Sequence, residues 1–291
     1  MVHPDPKELN LYKPGRLFPP ISITGDKCNL SCKHCMGLCL KHMIPAPTPE
    51  VLREVLVKIK RRGGYGALIS GGADETGEVQ LSRFLPVINW AKKTLGLTFN
   101  IHTGLPSYKT IKEIARYKPG TVSIDVIGSD ETIREVIGLK RTVKDYARAL
   151  SALSNVGIKV TPHIIVGLHY GHIKGEFKAL RIAKLANPSK LVIISLIPLP
   201  HTPFENIEPP SAQMVSRVIK EASKVHSNLE LILGCMRPFK LRDEIDKAAI
   251  DAGINGIAVP STAAIEYAKF KGYSLRWQRH CCGVERVELY P

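Results

Sequence analysis

A chain of 291 residues that is 44% hydrophobic can bury a core large enough for one barrel-sized domain or two small ones. Its longest apolar runs, such as 191–199, fall far short of the roughly 20 residues of a membrane span, and residues 1–13 are polar and punctuated by proline, so a membrane span is excluded and a soluble protein without a signal peptide is expected. The 41 Lys and Arg against 26 Asp and Glu leave a formal charge of +15, which suits an acidic partner but does not say where the charge collects.

Short β-branched runs alternate along the chain with amphipathic segments. A strand is expected over 21–24, followed by a cysteine-rich loop and then a helix that opens with Thr48 as N-cap and Pro49 at the first helical position. That helix carries Val51, Leu52, Val55, Leu56 and Ile59 on one face. A strand at 67–70 precedes a helix at 81–95, and a strand at 98–102 precedes a helix at 108–116. A strand at 121–127 leads to helices at 130–136 and 143–155, and a strand at 159–166 to a helix at 175–186. The last three strands, 191–196, 229–233 and 256–259, are followed by helices at 212–226, 241–251 and 262–271. Eight strands, each followed by a helix, give an α/β class and a (β/α)8 barrel of TIM type in preference to an open sheet. No repeat or linker divides the chain, so residues 1–291 are expected to form a single domain with its core at about 20–271. The residues before the first strand and the tail 272–291 are extensions, and the tail is expected to cover the barrel mouth.

Seven cysteines cannot all pair, and Cys28, Cys32, Cys35 and Cys39 fall within twelve residues, which suits a metal in a reducing compartment better than disulfides. A cytoplasmic location follows as an expectation. The segment Asp26-Lys27-Cys28-Asn29-Leu30-Ser31-Cys32-Lys33-His34-Cys35-Met36-Gly37 comes directly after the first strand, on a loop at the C-terminal face where barrel enzymes keep their chemistry. A cubane takes four thiolates, so three closely spaced cysteines leave one iron open. Zinc is the alternative, with Cys39 as the fourth ligand.

The three-then-two spacing of these cysteines resembles the signature of the radical SAM superfamily. The resemblance implies a 4Fe-4S cluster on Cys28, Cys32 and Cys35, with S-adenosylmethionine chelating the open iron and cleaved into a 5′-deoxyadenosyl radical that abstracts hydrogen from an unactivated carbon. Where such loops carry an aromatic before the last cysteine, His34 stands here, an imidazole that can also pack on adenine. Ser70-Gly71-Gly72 resembles the glycine motif that receives the methionyl amine; the acidic residue usual after it is replaced by Ala73, with Asp74 and Glu75 behind. The segment Ser123-Ile124-Asp125 resembles the ribose-binding strand of biotin synthase relatives, making Asp125 the first ribose candidate and Ser123 the second, with loop capping as the other role for Asp125. Ile164 to Leu168 is similar to the adenine-stacking segment.

The runs Asn100 to Gly104, Leu196 to Pro203 and Leu233 to Pro238 extend the resemblance to biotin synthase and its homologues over nearly the whole chain. Within that group, Arg237 is expected either to contact substrate or to form a rim salt bridge. Cys39, Cys235, Cys281 and Cys282 suffice for an auxiliary cluster if the tail folds back, or are buried cysteines without a ligand role. A compact barrel with these extra cysteines most resembles one protein of the archaeal two-component lipoyl synthases. That likeness implies sulfur insertion into an octanoyl chain on an acidic lipoyl-carrier protein, a second radical SAM protein as partner, and an electron donor such as ferredoxin. Biotin synthase-like or hydrogenase-maturase-like chemistry on a small molecule is the alternative, as is tRNA modification, although no RNA-binding module or basic aromatic stripe is present and nucleic acid is not the expected partner.

Overall fold

The computed structural model describes residues 7–284. In chain order, β1 (Glu8–Tyr12) and β2 (Pro20–Ser22) precede the cysteine loop, which ends in a 3-10 turn (Leu38–His42) and the two-residue β3 (Ile44–Pro45). Then come α1 (Pro49–Arg61), β4 (Gly66–Ser70), α2 (Leu85–Leu95), β5 (Thr98–His102), α3 (Tyr108–Tyr117) and β6 (Thr121–Asp125). A short α4 (Asp130–Thr132) runs into a π-helical turn (Ile133–Ile137), followed by α5 (Val143–Asn155), β7 (Val160–Val166) and α6 (Glu176–Ala183). The chain closes with β8 (Lys190–Ser195), α7 (Ala212–Val225), β9 (Glu230–Leu233), α8 (Arg242–Asp251), β10 (Gly256–Ala258), α9 (Thr262–Phe270) and β11 (Ser274–Gln278).

All eight expected strands form and lie side by side in sequence order, in one wholly parallel sheet ordered β11-β1-β10-β9-β8-β7-β6-β5-β4-β2-β3. Helices cover the outer face, so strands such as Val160–Val166 are buried on both sides and read as apolar runs. Helix starts follow the local chemistry. The Thr48 hydroxyl accepts from Val51 N at 3.3 Å to open α1, and Ser107, Ser211 and Ser261 do the same for α3, α7 and α9.

The sheet curls into a barrel, because inward side chains meet across strands that are not neighbours. His102 on β5 and His163 on β7 have ring centroids 5.1 Å apart, and Tyr12 on β1 reaches Glu230 on β9 at 2.5 Å and Lys190 on β8 at 3.2 Å. No ladder joins the β11 edge to the β3 edge among the described residues. Across that seam the Tyr65 hydroxyl, just before β4, donates to the Arg279 carbonyl.

The described part of the tail does not lie over the mouth; it enters the barrel. His280 and Val284 are 1% and 2% exposed, Cys282 packs with Tyr12, Val192, Ile232 and Ala258, and Thr161 Oγ1 on β7 donates to the Gly283 carbonyl at 2.8 Å. Gly256 and Ala258 on β10 and Gly234 on the turn beyond β9 leave this space, and the tail fills it with its own side chains. Residues 285–291 lie outside the described residues.

Candidate active site

Each strand of a parallel barrel ends at the same face, and the cysteine loop leaves β2 there. Two bonds pin the loop between the cysteines. Lys33 N donates to the Val136 carbonyl in the π-helical turn at 2.9 Å, and Lys33 Nζ donates to the Tyr170 hydroxyl at 2.9 Å. Tyr170 itself stacks on buried Phe204 with centroids 5.0 Å apart. On the other flank, Asn29 N donates to the Ala73 carbonyl at 2.9 Å.

The three expected cysteines are brought together on this loop. The Cys32 thiol hydrogen-bonds Cys35 and, with help from His34, holds it as a thiolate at about 4. The same bond and burial push Cys32 up. A zinc ion would draw its sulfurs to roughly 3.8 Å from one another, given Zn–S bonds of about 2.3 Å in a tetrahedron. No set of three cysteines converges on a single ion in this way among the described residues. A cubane, which spreads its thiolates over separate irons, fits the arrangement better. His34 Nδ1 is also buried beside Cys35 without a protein partner, so the donor set and its surroundings fit an iron–sulfur cluster.

Gly71 and Gly72 end the strand beside the loop. A Cβ on Gly72 would lie 2.0 Å from the Lys27 carbonyl oxygen and 2.5 Å from Cys28 Cα, so the glycine is required by the approach of the cysteine loop itself. Gly72 N donates to Thr24 Oγ1 at 2.7 Å. The Asp74 carboxylate is taken up within its own turn, accepting from Thr76 N at 2.8 Å, Thr76 Oγ1 at 2.7 Å and Gln80.

Asp125 sits at the end of β6 facing the interior, and no hydrogen bond to its carboxylate is present among the described residues. It acts electrostatically on His102, His163 and Cys39. Burial lowers His102, and burial together with His102 pushes His163 down to about 4, so both rings are neutral at physiological pH. The second ribose candidate is displaced from that role. Ser123 lies one inward position below Asp125, is fully buried, donates to Asn100 Oδ1 at 2.8 Å and is covered by Gly283 of the tail.

The remaining cysteines separate into two places. Cys39 is exposed on the 3-10 turn, and its ionisable neighbours are Cys35 and Asp125, so it belongs to the mouth. Cys281 and Cys282 lie inside the barrel, and Cys235 stands near them on the turn beyond β9. Cys281 and Cys282 hydrogen-bond each other, which draws Cys281 down to about 7 and pushes Cys282 up, and Cys235 acts on Cys282 while feeling Cys281. Solvent reaches Cys235. Asn100 Nδ2 donates to Cys281 Sγ at 3.3 Å.

Arg237 is not available to a substrate. Its side chain is buried, and all five donors are engaged: Nε and Nη2 on Asp246 at 2.5 and 3.1 Å, Nη1 on the Gly234 and Ala258 carbonyls at 2.6 and 2.9 Å, and Nη2 again on the Val259 carbonyl at 3.0 Å. It is a clamp between the ends of β9 and β10 and helix α8, and the salt-bridge alternative holds in a buried form. A further cluster, Glu131, Glu135 and His169, comes within ligand reach, but Lys174 pairs with Glu131 and fills the place of a cation.

Sequence reasoning gave no role to Asn100, His102 or His163. The available signal was periodicity, since Asn100 and His102 share the inward face of a strand whose other face carries Phe99 and Ile101.

The family model described as the radical SAM superfamily matches residues 22–174. A biotin synthase of Vesicomyosocius okutanii subsp. Calyptogena okutanii (strain HA) is 24% identical over 178 residues, covering 61% of this chain and 54% of that protein, so the match spans about half the length of that relative. Among solved structures, methylornithine synthase (PylB) superposes with a TM-score of 0.62 at 19% identity, covering 86% of this chain and 72% of the other. The FeFe-hydrogenase maturase HydG from Carboxydothermus hydrogenoformans gives 0.63 at 16% identity, covering 92% and 67%. These likenesses establish a common fold, and among the described residues no helix is long and apolar enough to cross a membrane. With its cysteine loop at the C-terminal face and a family match over more than half its length, the chain belongs to the radical SAM superfamily.

Proposed function

We propose that this radical SAM enzyme inserts sulfur at an unactivated carbon, with the radical cluster on Cys28, Cys32 and Cys35 and a second, sulfur-supplying cluster on Cys235, Cys281 and Cys282. The substrate of this reading is an octanoyl chain on an acidic lipoyl-carrier protein. A second radical SAM protein shares the two insertions, and a ferredoxin-type donor supplies electrons. The observation that carries it is the approach of Cys235, on the turn beyond β9, to the adjacent tail cysteines Cys281 and Cys282, close enough for each to act electrostatically on the others. The similarity to a biotin synthase points the same way.

When bound, the cluster and S-adenosylmethionine supply a 5′-deoxyadenosyl radical that abstracts hydrogen. The chain's own residues do the rest. Lys33 and Tyr170 hold the cysteine loop, Gly72 lets it seat on β4, and Asp125 offers an unpaired carboxylate to hydroxyl donors at the mouth. The tail fills the interior below. The charge of +15 suits an acidic carrier domain. A small polar substrate is the second reading, favoured by His102, Asp125 and His163 lining the interior between the cysteine loop and the tail.

Iron and sulfide per chain after anaerobic reconstitution test the proposal. About eight irons in the wild type, falling to about four in the Cys28→Ala, Cys32→Ala, Cys35→Ala triple variant, support it. About four irons falling to none would remove the second cluster and leave the small-substrate reading.

A further inference from the structure

The interior that receives the tail is polar where an ordinary barrel core would be aliphatic. Asn100 on β5, Ser123 on β6 and Thr161 on β7 all point inward, all are buried, and all meet the same five-residue stretch of tail. Their hydrogen bonds form a chain with a direction. The Ser123 hydroxyl donates to Asn100 Oδ1 at 2.8 Å, which orients the amide so that Nδ2 faces the tail and donates to Cys281 Sγ at 3.3 Å. Thr161 Oγ1 fixes the next carbonyl but one, that of Gly283, at 2.8 Å. The fit leaves no slack. A Cβ on Gly283 would stand 2.5 Å from Asn100 Nδ2 and 2.9 Å from Ser123 Oγ.

A fully buried amide is costly to place in a strand core unless its polar atoms are satisfied. The tail backbone alone could have been held by Thr161; the N–H directed at sulfur is an additional feature that packing does not require. A hydrogen bond to a thiolate sulfur favours the more negatively charged state of whatever that sulfur ligates, and so raises its reduction potential.

We infer that Asn100, oriented by Ser123, is a positioning residue for Cys281 that aims its sulfur and sets the reduction potential of the group bound at the tail cysteines. The inference rests on the second-cluster reading above.

The test uses full-length protein carrying Cys28→Ala, Cys32→Ala and Cys35→Ala, reconstituted with iron and sulfide, so that only a cluster on Cys235, Cys281 and Cys282 contributes. Iron content and a redox titration followed by electron paramagnetic resonance are read for Asn100, Asn100→Leu and Asn100→Asp. Leucine removes the donor without adding charge, while aspartate keeps the shape and replaces the donor by an acceptor. The expected result is retained iron with a potential shifted downward in Asn100→Leu and further downward in Asn100→Asp. An unmoved potential in Asn100→Leu with iron retained overturns the role of Asn100 and leaves the second cluster standing. Absence of iron in the background that still carries Asn100 overturns the second cluster itself, and the inference with it.

Discussion

Replacing Arg237 by alanine removes five donors at once from a site buried away from the surface. Asp246, itself fully buried, keeps only the Ser261 N–H at 2.9 Å, and the carbonyls of Gly234, Ala258 and Val259 lose the guanidinium. Breaking a buried ion pair from one side costs about 3–5 kcal/mol, because the remaining charge is stranded. Val259 adds to the loss. It is a β-branched residue at φ 51°, a conformation that valine rarely adopts, held by Arg237 on its carbonyl and by its own N–H on the Tyr12 carbonyl. For a chain of 291 residues the unfolding entropy is about 0.6 kcal/mol per kelvin, so the melting temperature should fall by about 5–8 °C. Arg237→Lys keeps the charge but loses the fork and should recover part of the fall. Joint replacement of Arg237 and Asp246 by leucine should recover more, since no charge is left unpaired. Differential scanning fluorimetry on the purified variants measures all three. A melting temperature unchanged in Arg237→Ala, together with a raised KM for substrate, would refute the clamp and restore Arg237 to the reaction.

Other predictions address the two sulfur sites and the interior. Gly72→Ala places a methyl group against the Lys27 carbonyl and should prevent the radical cluster from assembling, seen as loss of about four irons with the fold retained by circular dichroism. Gly283→Ala should undock the tail and remove the second cluster alone, leaving 5′-deoxyadenosine formation intact while sulfur insertion stops. Cys235→Ala and Cys281→Ala should behave likewise, and product formation in either would contradict the auxiliary site. His163, whose ring is held down at about 4 by burial, binds fewer protons in the folded chain than in the unfolded chain between that value and about 6.5. Its contribution to stability is therefore present above about 6.5 and lost as pH falls towards 4, by up to about 3 kcal/mol. Denaturation midpoints of wild type and His163→Asn should converge across that window; parallel pH profiles would remove His163 as the cause.

Much of this architecture is legible from periodicity. The eight strands that surround the site are short, largely buried apolar runs, and four of the helices between them, α1, α3, α7 and α9, carry both an apolar stripe and a hydroxyl N-cap, so pattern and cap agree there. The strands that escape are those without a pattern of their own. β3 is two residues long, β11 borders the seam half exposed with uninformative side chains, and β1 lies next to it in the polar-flanked run Glu8–Tyr12. The cysteine loop is equally legible, because a local spacing encodes a local site. The tail is not. Its place inside the barrel depends on Ser123 and Thr161 standing in register on neighbouring strands, with Asn100 two residues before the β5 partner of Ser123, a juxtaposition created by sheet register and invisible to spacing along the chain. Arg237 illustrates the same limit: position on the β9 turn suggested the substrate, whereas Asp246 nine residues later, brought back by α8, decides the role.

Cys28, Cys32 and Cys35 are proposed to hold the cluster that cleaves S-adenosylmethionine. Formation of 5′-deoxyadenosine by the reconstituted, chemically reduced protein tests it most directly. The account predicts that the wild type forms this product and that Cys28→Ala, Cys32→Ala and Cys35→Ala each form none. Undiminished product from any one of the three variants would contradict it.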